Sequence, residues 1–335
     1  MTKICYVLPS GYPSGGNKMC IEHVKRLAKK GHEACISVIS KHKDDDYTWL
    51  EADNIKQVRF CKKELEKMDY VTATYWETYY YIKNLKLENP EKWYFVQSKE
   101  EEFEGDWYRK QLVLQSLMDK EFKIITEAKW LQLYLKETCH RDSILIPNHI
   151  ELPQNLLLEK TKRHKPIILI EGEATTAWKN VIDGARVARL LRPEYEVQLL
   201  TSTKLQSINP WIFHSFDKVH IGLPWKEALE TIANADVLYR PSTLEGFNGA
   251  ISEAMILETP TVCNDIPASH EQGINEYNTL IVQPHNIFQA TSTIKRLVQD
   301  KELKQKIITN AKTTAEQYFT NWEESINKLE TEVYI

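Results

Sequence analysis

Two glutamates, Glu245 and Glu253, flank a short glycine-containing segment in the second half of the chain. A strand pattern ends in a proline loop just before them, and a helix pattern begins near Asn248. The first amides of a helix have no internal partner, and Gly246 and Gly249 let a ligand approach the backbone, so this turn suits a phosphate group. Glu253, about one turn further along, could accept two hydrogen bonds from a vicinal diol such as that of a ribose. Glu245 would then face the far end of the same ligand.

Several other common sites are absent from the sequence. It contains neither a GxxxxGK[ST] phosphate loop nor a GxGxxG dinucleotide fingerprint, since its first glycine-rich loop is GYPSGG. His32 and His270 are each followed by a glutamate, but Ile36 and Ile274 stand where a zinc-protease helix needs its second histidine. The cysteines form no CxxC pair and are expected to be reduced and mostly buried. Kinase, NAD-dependent and metal-hydrolase chemistry therefore lack support, and we expect no metal site.

Length and composition favour two ordinary globular domains. The chain has 335 residues, of which 42% are hydrophobic and 27% are charged. Its net charge of −4 provides no general attraction to nucleic acid. The apolar run ICYVL before Pro9 is too short for a signal peptide, and no apolar stretch is long enough to span a membrane. We therefore expect a cytoplasmic protein without a nucleic-acid partner.

Short apolar runs alternate with segments of helical period, which predicts an α/β fold with parallel strands. In the first half, strands are predicted at 3–8, 34–39, 57–60, 70–73, 93–97, 123–126 and 143–146. In the second half, they are predicted at 166–170, 197–201, 219–221, 237–240, 260–263 and 279–282. Open α/β sheets bind ligands beyond the carboxyl ends of their strands. Two such doubly wound domains in tandem predict a ligand site in the cleft between them.

The segment around the two glutamates resembles the E-x7-E signature of the retaining glycosyltransferases of family 4. The stretches PSTLEGF, EAM and PTV match the surrounding pattern, and other segments agree in order along the chain. GYPSGGNK resembles the family's glycine-rich loop, KKGHEACISVI its GHEV strand, ILIPNHIE its IPNG motif and HEQGINEYNTLIVQP the end of its donor domain. The resemblance spans nearly the whole chain and implies the GT-B fold, in which two Rossmann-like domains face each other.

The resemblance also implies roles for residues of the donor domain. Glu253 would hold the ribose of a nucleotide, while Glu245 and the backbone of Gly246, Phe247 and Asn248 would contact the sugar and the diphosphate. Lys179 matches the lysine that neutralises the departing diphosphate, where a fixed cation lowers the barrier. The alternative for Lys179 is an ordinary surface lysine at a helix start.

In the first domain, Gly15 and Gly16 would bring the backbone toward the same phosphates or toward the acceptor, and the alternative is a plain tight turn. The chain departs from the family pattern at three places, one of which is Thr259, where a glycine usually precedes the PTV strand. Glu173 stands near the position of the family's phosphate-site arginine, and Gln97 with Ser98 near that of a first-domain histidine. Arg240 would replace the missing arginine if its side chain reached the site, and the alternative for it is a salt bridge at a strand end.

The prolines and charged residues of 147–166 are typical of a surface linker. We assign residues 1–150 to an N-terminal, acceptor-side Rossmann-like domain, 151–165 to the linker and 166–319 to a C-terminal donor domain for the nucleotide sugar. The last helix, at about 320–335, is expected to pack back onto the first domain, as is common in this fold.

The expected activity is that of a retaining glycosyltransferase that moves a hexosyl or deoxyhexosyl group from a UDP, dTDP or GDP sugar. The acceptor would be a saccharide or a lipid-linked saccharide in cell-surface polysaccharide synthesis, most similar to enzymes that build rhamnose-containing polymers. No cofactor is expected besides the nucleotide sugar as co-substrate. No Asp-x-Asp pair precedes a strand, and Asp44–Asp46 stand in a different context, so the reaction would be metal-independent.

Two other functions stay open. The missing arginine and histidine are compatible with a degenerate, non-catalytic glycosyltransferase that acts as a partner subunit or binds an acceptor. A sugar-nucleotide epimerase with the same architecture is the third candidate.

Three further segments have one functional and one structural interpretation each. The basic helix at 17–30 is either a peripheral contact to the inner face of a membrane or an ordinary crossover helix. The aromatic segment at 75–81 is either a stacking platform for an acceptor sugar or packing. The acidic run at 99–104 is interpreted as a solvated loop or helix start.

Overall fold

A computed structural model describes residues 1–12, 14–39, 54–158 and 163–334 of the chain. The chain divides into two compact units. The first contains Met1–Asn148 and the C-terminal segment that begins at Trp322, and the second contains His149–Asn321. No helix within the described ranges has both the length and the apolar character that crossing a membrane requires.

The first unit contains a parallel sheet with the strand order β2-β1-β3-β4-β5-β6. Its strands are β1 (Lys3–Leu8), β2 (Glu33–Val38), β3 (Tyr70–Ala73), β4 (Glu91–Val96), β5 (Lys123–Thr126) and β6 (Ile144–Leu145). Its helices before residue 148 are α1 (Gly15–Lys29), α2 (Lys62–Leu65), α3 (Trp76–Asn84), α4 (Trp107–Met118) and α5 (Lys129–Thr138), with a 3-10 turn at Glu100–Phe103.

Both faces of this first sheet are buried. Tyr6 and Phe95 lie in one apolar cluster, whereas their neighbours Val7 and Tyr94 lie in another. Successive side chains of a strand point to opposite faces, so β1 and β4 each contribute to both clusters. This explains why the strands are continuous apolar runs, as parallel sheets covered by helices on both faces require.

The second unit repeats this architecture with the strand order β12-β11-β10-β7-β8-β9. Its strands are β7 (Ile167–Glu171), β8 (Glu196–Thr201), β9 (Lys218–Ile221), β10 (Val237–Arg240), β11 (Thr261–Asn264) and β12 (Leu280–Val282). Its helices are α6 (Val181–Leu191), α7 (Pro210–Phe213), α8 (Trp225–Asn234), α9 (Gly249–Ile256), α10 (Pro267–Gln272), α11 (Ile287–Gln299) and α12 (Lys301–Tyr318), with 3-10 turns at Ala177–Lys179 and Leu205–Ser207.

After the second unit, the chain returns to the first unit through helix α13 (Trp322–Lys328) and a π-helical turn at Leu329–Val333. Trp322 and Ile326 join the apolar cluster that contains Tyr6. The hydroxyl of Tyr334 donates to that of Tyr6 at 2.8 Å and lies 3.1 Å from the hydroxyl of Thr72. The segment from Trp322 is therefore part of the first unit's core.

The α/β prediction and its parallel strands are confirmed, with strand bounds that shift by at most two residues. The strand predicted at 57–60 is wrong. Gln57 forms only an isolated bridge to Ile36, and the chain bends at Phe60 and enters α2, so the segment is too short to extend the sheet. In the described part of the segment predicted as a linker, Leu152 and Leu156 pack against an apolar cluster of the second unit.

Candidate functional site

The start of helix α9 has no side-chain cap. Asn248 precedes the helix, but its side chain makes no capping hydrogen bond. This side chain is fully buried, and neither its amide nitrogen nor its amide oxygen has a hydrogen-bond partner among the described residues. A Cβ atom added at Gly249 would meet no described atom within 4 Å. An unpartnered buried amide therefore precedes a glycine with open space at its Cβ position, and buried polar groups without a partner are rare in native proteins.

The Phe247 side chain, unlike that of Asn248, has packing partners. Its ring packs against the cluster of Ile251 and Met255 and meets the Phe319 ring edge-on, with the ring centres 6.1 Å apart. The side chain is thus committed to the core of the second unit. The Phe247 ring is therefore not available to a ligand.

Glu245 lies at the centre of a buried charge cluster. The Lys179 ammonium lies 2.9 Å from Oε1 and 2.8 Å from Oε2 of this carboxylate, and Nη2 of Arg240 donates to Oε1 at 2.8 Å. Burial acts to raise the pKa of Glu245, but the opposing charges of Arg240 and Lys179 outweigh it and lower the pKa to about 2. The carboxylate is therefore ionised at neutral pH.

Arg240 is itself shared between two carboxylates. Besides Glu245, it forms an ion pair with Glu171, and its Nη1 also donates to the Glu171 carbonyl at 3.2 Å. Glu171 ends β7 and Arg240 ends β10, and these strands are parallel neighbours in the sheet. Their carboxyl ends therefore lie at the same edge, which is why residues so far apart in sequence meet here. Arg240 thus forms the salt bridge at a strand end that was the alternative to a direct phosphate contact.

Backbone contacts join the loops that follow β7 and β10. The amide of Thr243 donates to the Trp178 carbonyl at 2.8 Å. The Pro241 carbonyl accepts from the side-chain amides of Asn180, at 3.2 Å, and Asn264, at 2.6 Å. Asn180 has a left-handed backbone, with φ of 51°. These bonds hold the loop after β7 against the loop after β10. Lys179 and Glu245, which lie on these two loops, are thereby fixed relative to each other.

Glu253 lies in the second turn of α9. Its carboxylate oxygen Oε1 accepts a hydrogen bond of 2.8 Å from the indole nitrogen of Trp225, at the start of α8. Sequence analysis did not select Trp225. No spacing rule joins it to Glu253, since the two helices meet only through the tertiary fold.

Gly15 and Gly16, the glycines predicted to approach a ligand, lie in the first turn of α1. This turn follows the N-cap residue Ser14, whose hydroxyl accepts from the Asn17 amide at 3.2 Å. A Cβ atom at Gly16 would lie 3.0 Å from Oε1 of Gln97, whereas one at Gly15 would meet nothing within 4 Å among the described residues. Gly16 thus permits close packing against the residue that follows β4, and Gly15 leaves free space at the helix start. The structure brings Lys179, Arg240 and Glu245 together in the second unit, and Gly15 and Gly16 belong to the first.

The acidic run at 99–104 was expected to be solvated, and this is wrong for its two buried members, Glu100 and Glu101. Glu100 accepts from the Tyr94 hydroxyl at 2.6 Å and from the Trp76 amide at 2.7 Å. Burial raises the pKa of Glu100 to about 8. Glu101 accepts from the Tyr134 hydroxyl at 2.6 Å. The hydroxyls of Tyr94 and Tyr134 and the backbone amide of Trp76 therefore hold these two carboxyl groups inside the protein.

In the other two segments, several side chains are engaged within the protein. In the aromatic segment, Trp76 and Tyr79 are buried in the core and do not form an open platform. In α1, Lys25 and Arg26 pair with Glu22, and the Arg26 guanidinium also stacks on the Trp322 ring with its central carbon 4.7 Å from the ring centre. Much of the basic face is therefore engaged within the protein.

The comparisons with known proteins agree with this geometry. Residues 218–314 match the family model described as glycosyl transferases group 1. The described part of the chain has the GT-B fold, with two units that are each built on a six-stranded parallel sheet. The GT-B expectation is therefore confirmed.

Particular relatives are distant in sequence. HepE from Anabaena, solved in complex with UDP and glucose, has a TM-score of 0.83 at 15% identity, covering 100% of both chains. Sucrose-phosphate synthase from Thermosynechococcus elongatus has a TM-score of 0.79 at 16% identity, covering 98% of both chains. Glycosyltransferase 1 domain-containing protein 1 from Xenopus tropicalis is 34% identical over 90 residues, which are 27% of this chain and 26% of that protein. The match thus spans about a quarter of this curated relative.

Proposed function

We propose that this protein is a glycosyltransferase that takes a hexosyl or deoxyhexosyl group from a nucleotide diphosphate sugar. The observation that carries the proposal is the uncapped start of α9, where the buried Asn248 amide has no partner among the described residues. The positive end of the helix dipole favours a phosphate at such a position. The group 1 family match supports the same conclusion, because it includes this helix.

In this proposal, the diphosphate lies against the loop 246–248, and Lys179 supplies the positive charge. Cleavage of the bond between the sugar and the diphosphate builds negative charge on the departing oxygen, and a preorganised cation stabilises that charge in the transition state. Glu245 contacts the sugar and holds the Lys179 ammonium. Arg240 contributes by fixing Glu245.

Glu253 would bind the ribose of the donor, and UDP sugars are the first donors to test. HepE is solved with UDP-glucose, and a TarM mutant from S. aureus, with a TM-score of 0.79 at 11% identity over 98% of this chain, is solved with UDP. Retention of configuration, metal independence and a role in cell-surface polysaccharide synthesis extend the proposal and rest on the resemblance to family 4. The acceptor would be a saccharide or a lipid-linked saccharide, with Gly15 and Gly16 near it or near the donor phosphates.

One observation favours a second function, that of a non-catalytic partner which keeps the fold. Both cations of the charge cluster are paired with glutamates, and Glu173 stands near the position of the family's arginine. A diphosphate would have to compete with Glu245 for Lys179. Binding without turnover would then be the result.

Calorimetric titration with UDP, GDP and dTDP tests the proposal, followed by donor hydrolysis and transfer assays on the nucleotide sugar that binds. We expect one nucleotide to bind, and we expect Glu253→Gln to weaken it by about 10-fold or more, because a charged acceptor for the ribose is lost. Glu316→Gln, at an exposed position of α12, is the matched control. No binding of any nucleotide would contradict the glycosyltransferase and favour the non-catalytic partner, and binding without hydrolysis or transfer would favour the partner as well.

A further inference from the structure

We propose that Trp225 is a positioning residue that holds the Glu253 carboxylate in the orientation needed to recognise the diol of a nucleotide's ribose. The inference rests on the proposed function and adds a residue to its nucleotide site. The contact that carries it is the hydrogen bond of 2.8 Å from the Trp225 indole nitrogen to Oε1 of Glu253.

The fold places Trp225 at this position through a defined turn. Gly222 follows β9 in a left-handed conformation with φ of 58°, which glycine adopts without steric cost. Leu223 then packs against an apolar cluster, and Pro224 precedes the first helical residue, Trp225. The indole is therefore presented at a helix start rather than on a mobile loop.

Helices α8 and α9 pack against each other below this contact. Leu229 and Ala233 of α8, Ala254 of α9 and Leu257, which directly follows α9, are all buried in the same apolar cluster. Ala254 directly follows Glu253 in the chain. The buried packing of its neighbour anchors the backbone of Glu253, and the indole fixes the end of its side chain.

The chemistry of the two groups makes the contact directional. An indole N–H is a donor only, so it pairs with an oxygen acceptor and cannot reverse its role. A glutamate side chain has several rotatable bonds, and holding it in the bound orientation before the ligand arrives removes part of the ordering cost of binding. Two adjacent hydroxyls need acceptors in a fixed geometry. The diol is therefore the part of the nucleotide that is sensitive to Trp225.

Another tryptophan of the same unit provides a matched control. Trp211 and Trp225 each have 40% of their surface exposed. Trp211 lies at the start of α7 with its ring centre 5.6 Å from the central guanidinium carbon of Arg189. Trp211→Phe and Trp225→Phe make the same chemical change at equally exposed positions, but only Trp225→Phe removes the donor to Glu253.

Calorimetric titration of the full chain with UDP, 2′-deoxy-UDP and inorganic pyrophosphate tests the inference. For Trp225→Phe, we expect UDP affinity to fall by about 5- to 10-fold, because one hydrogen bond to a charged group is lost. The preference for UDP over 2′-deoxy-UDP should shrink while pyrophosphate affinity is unchanged. Trp211→Phe should match the wild type in all three titrations.

A double variant keeps the test falsifiable if Trp225→Phe weakens the fold. In a Glu253→Gln background, Trp225→Phe should cost no further UDP affinity, since the carboxylate that it positions is absent. The inference would be overturned if Trp225→Phe kept the wild-type preference for UDP over 2′-deoxy-UDP, or if it lost UDP affinity and pyrophosphate affinity equally. Either result would leave the proposed function standing. A wild type that binds UDP no better than 2′-deoxy-UDP would overturn it as well. A wild type that binds no nucleoside diphosphate would overturn both.

Discussion

Lys179 contacts both carboxylate oxygens of Glu245, at 2.9 and 2.8 Å, although 66 residues separate them in the chain. The contact is possible because the strands that precede them, β7 and β10, are parallel neighbours. The lysine is thus held by a carboxylate rather than projecting freely into solvent. A bound diphosphate would meet a cation of fixed position, which is the condition for electrostatic catalysis.

We expect Lys179→Met to lower the rate of sugar transfer or donor hydrolysis by about 100- to 1000-fold, because the cation that stabilises the departing diphosphate is lost. The methionine keeps most of the lysine stem, so packing should change little. Steady-state rates with the nucleotide sugar that binds provide the measurement. Lys306→Met, at an exposed position of α12, should leave the rate unchanged. A Lys179→Met rate close to that of the wild type would exclude leaving-group stabilisation by this residue.

We expect Glu245→Gln to destabilise the second unit by about 2 to 4 kcal/mol at neutral pH, because Lys179 and the buried Arg240 would lose their shared counter-charge. The pKa of Glu245 is lowered to about 2, so its stabilising contribution is present above the carboxyl's unfolded pKa and is lost as the pH falls through the folded value. Urea unfolding at neutral and acidic pH provides the measurement. The difference between wild type and Glu245→Gln should shrink between about pH 5 and pH 2. A difference that is constant over this range would contradict the assignment.

The fold could be predicted from sequence because its strands are buried on both faces and therefore appear as apolar runs. Glu245 and Glu253 were selected by their spacing and surroundings, and Lys179 by resemblance. Their mutual contacts depend on which strands are neighbours, and short-range patterns do not encode this order. The burial of Glu100 was missed for the same reason, since the Tyr94 hydroxyl and the Trp76 amide that donate to its carboxyl come from other elements. Trp225 was missed for this reason as well.

We expect Glu100→Gln to stabilise the protein at alkaline pH. Burial raises the pKa of Glu100 to about 8, so the folded state holds a proton that the unfolded state releases. Stability is therefore lost as the pH rises from the unfolded pKa to the folded one, by up to about 3 to 5 kcal/mol. A glutamine oxygen can still accept from Tyr94 and Trp76, and it has no proton to lose.

Thermal unfolding between about pH 5 and pH 9 provides the measurement, since this range covers most of the interval between the unfolded and the folded pKa. The melting temperature of the wild type should fall more steeply with pH than that of Glu100→Gln. Glu102→Gln, at an exposed position of the same acidic run, should follow the wild type. Parallel curves for the wild type and Glu100→Gln would show that Glu100 does not titrate with a raised pKa.

We expect Gly15→Ala to separate stability from activity. An added methyl group at Gly15 meets no described atom within 4 Å, and alanine is favoured over glycine in a helix by up to about 1 kcal/mol, so stability should rise slightly. If the start of α1 approaches the donor or the acceptor, the same methyl group occupies space that the ligand needs, and transfer should slow. Gly16→Ala forces a contact with Gln97 instead, so it should lower stability as well as activity. Urea unfolding and transfer rates of both variants provide the measurement. A Gly15→Ala variant with full activity would remove this helix start from the candidate site.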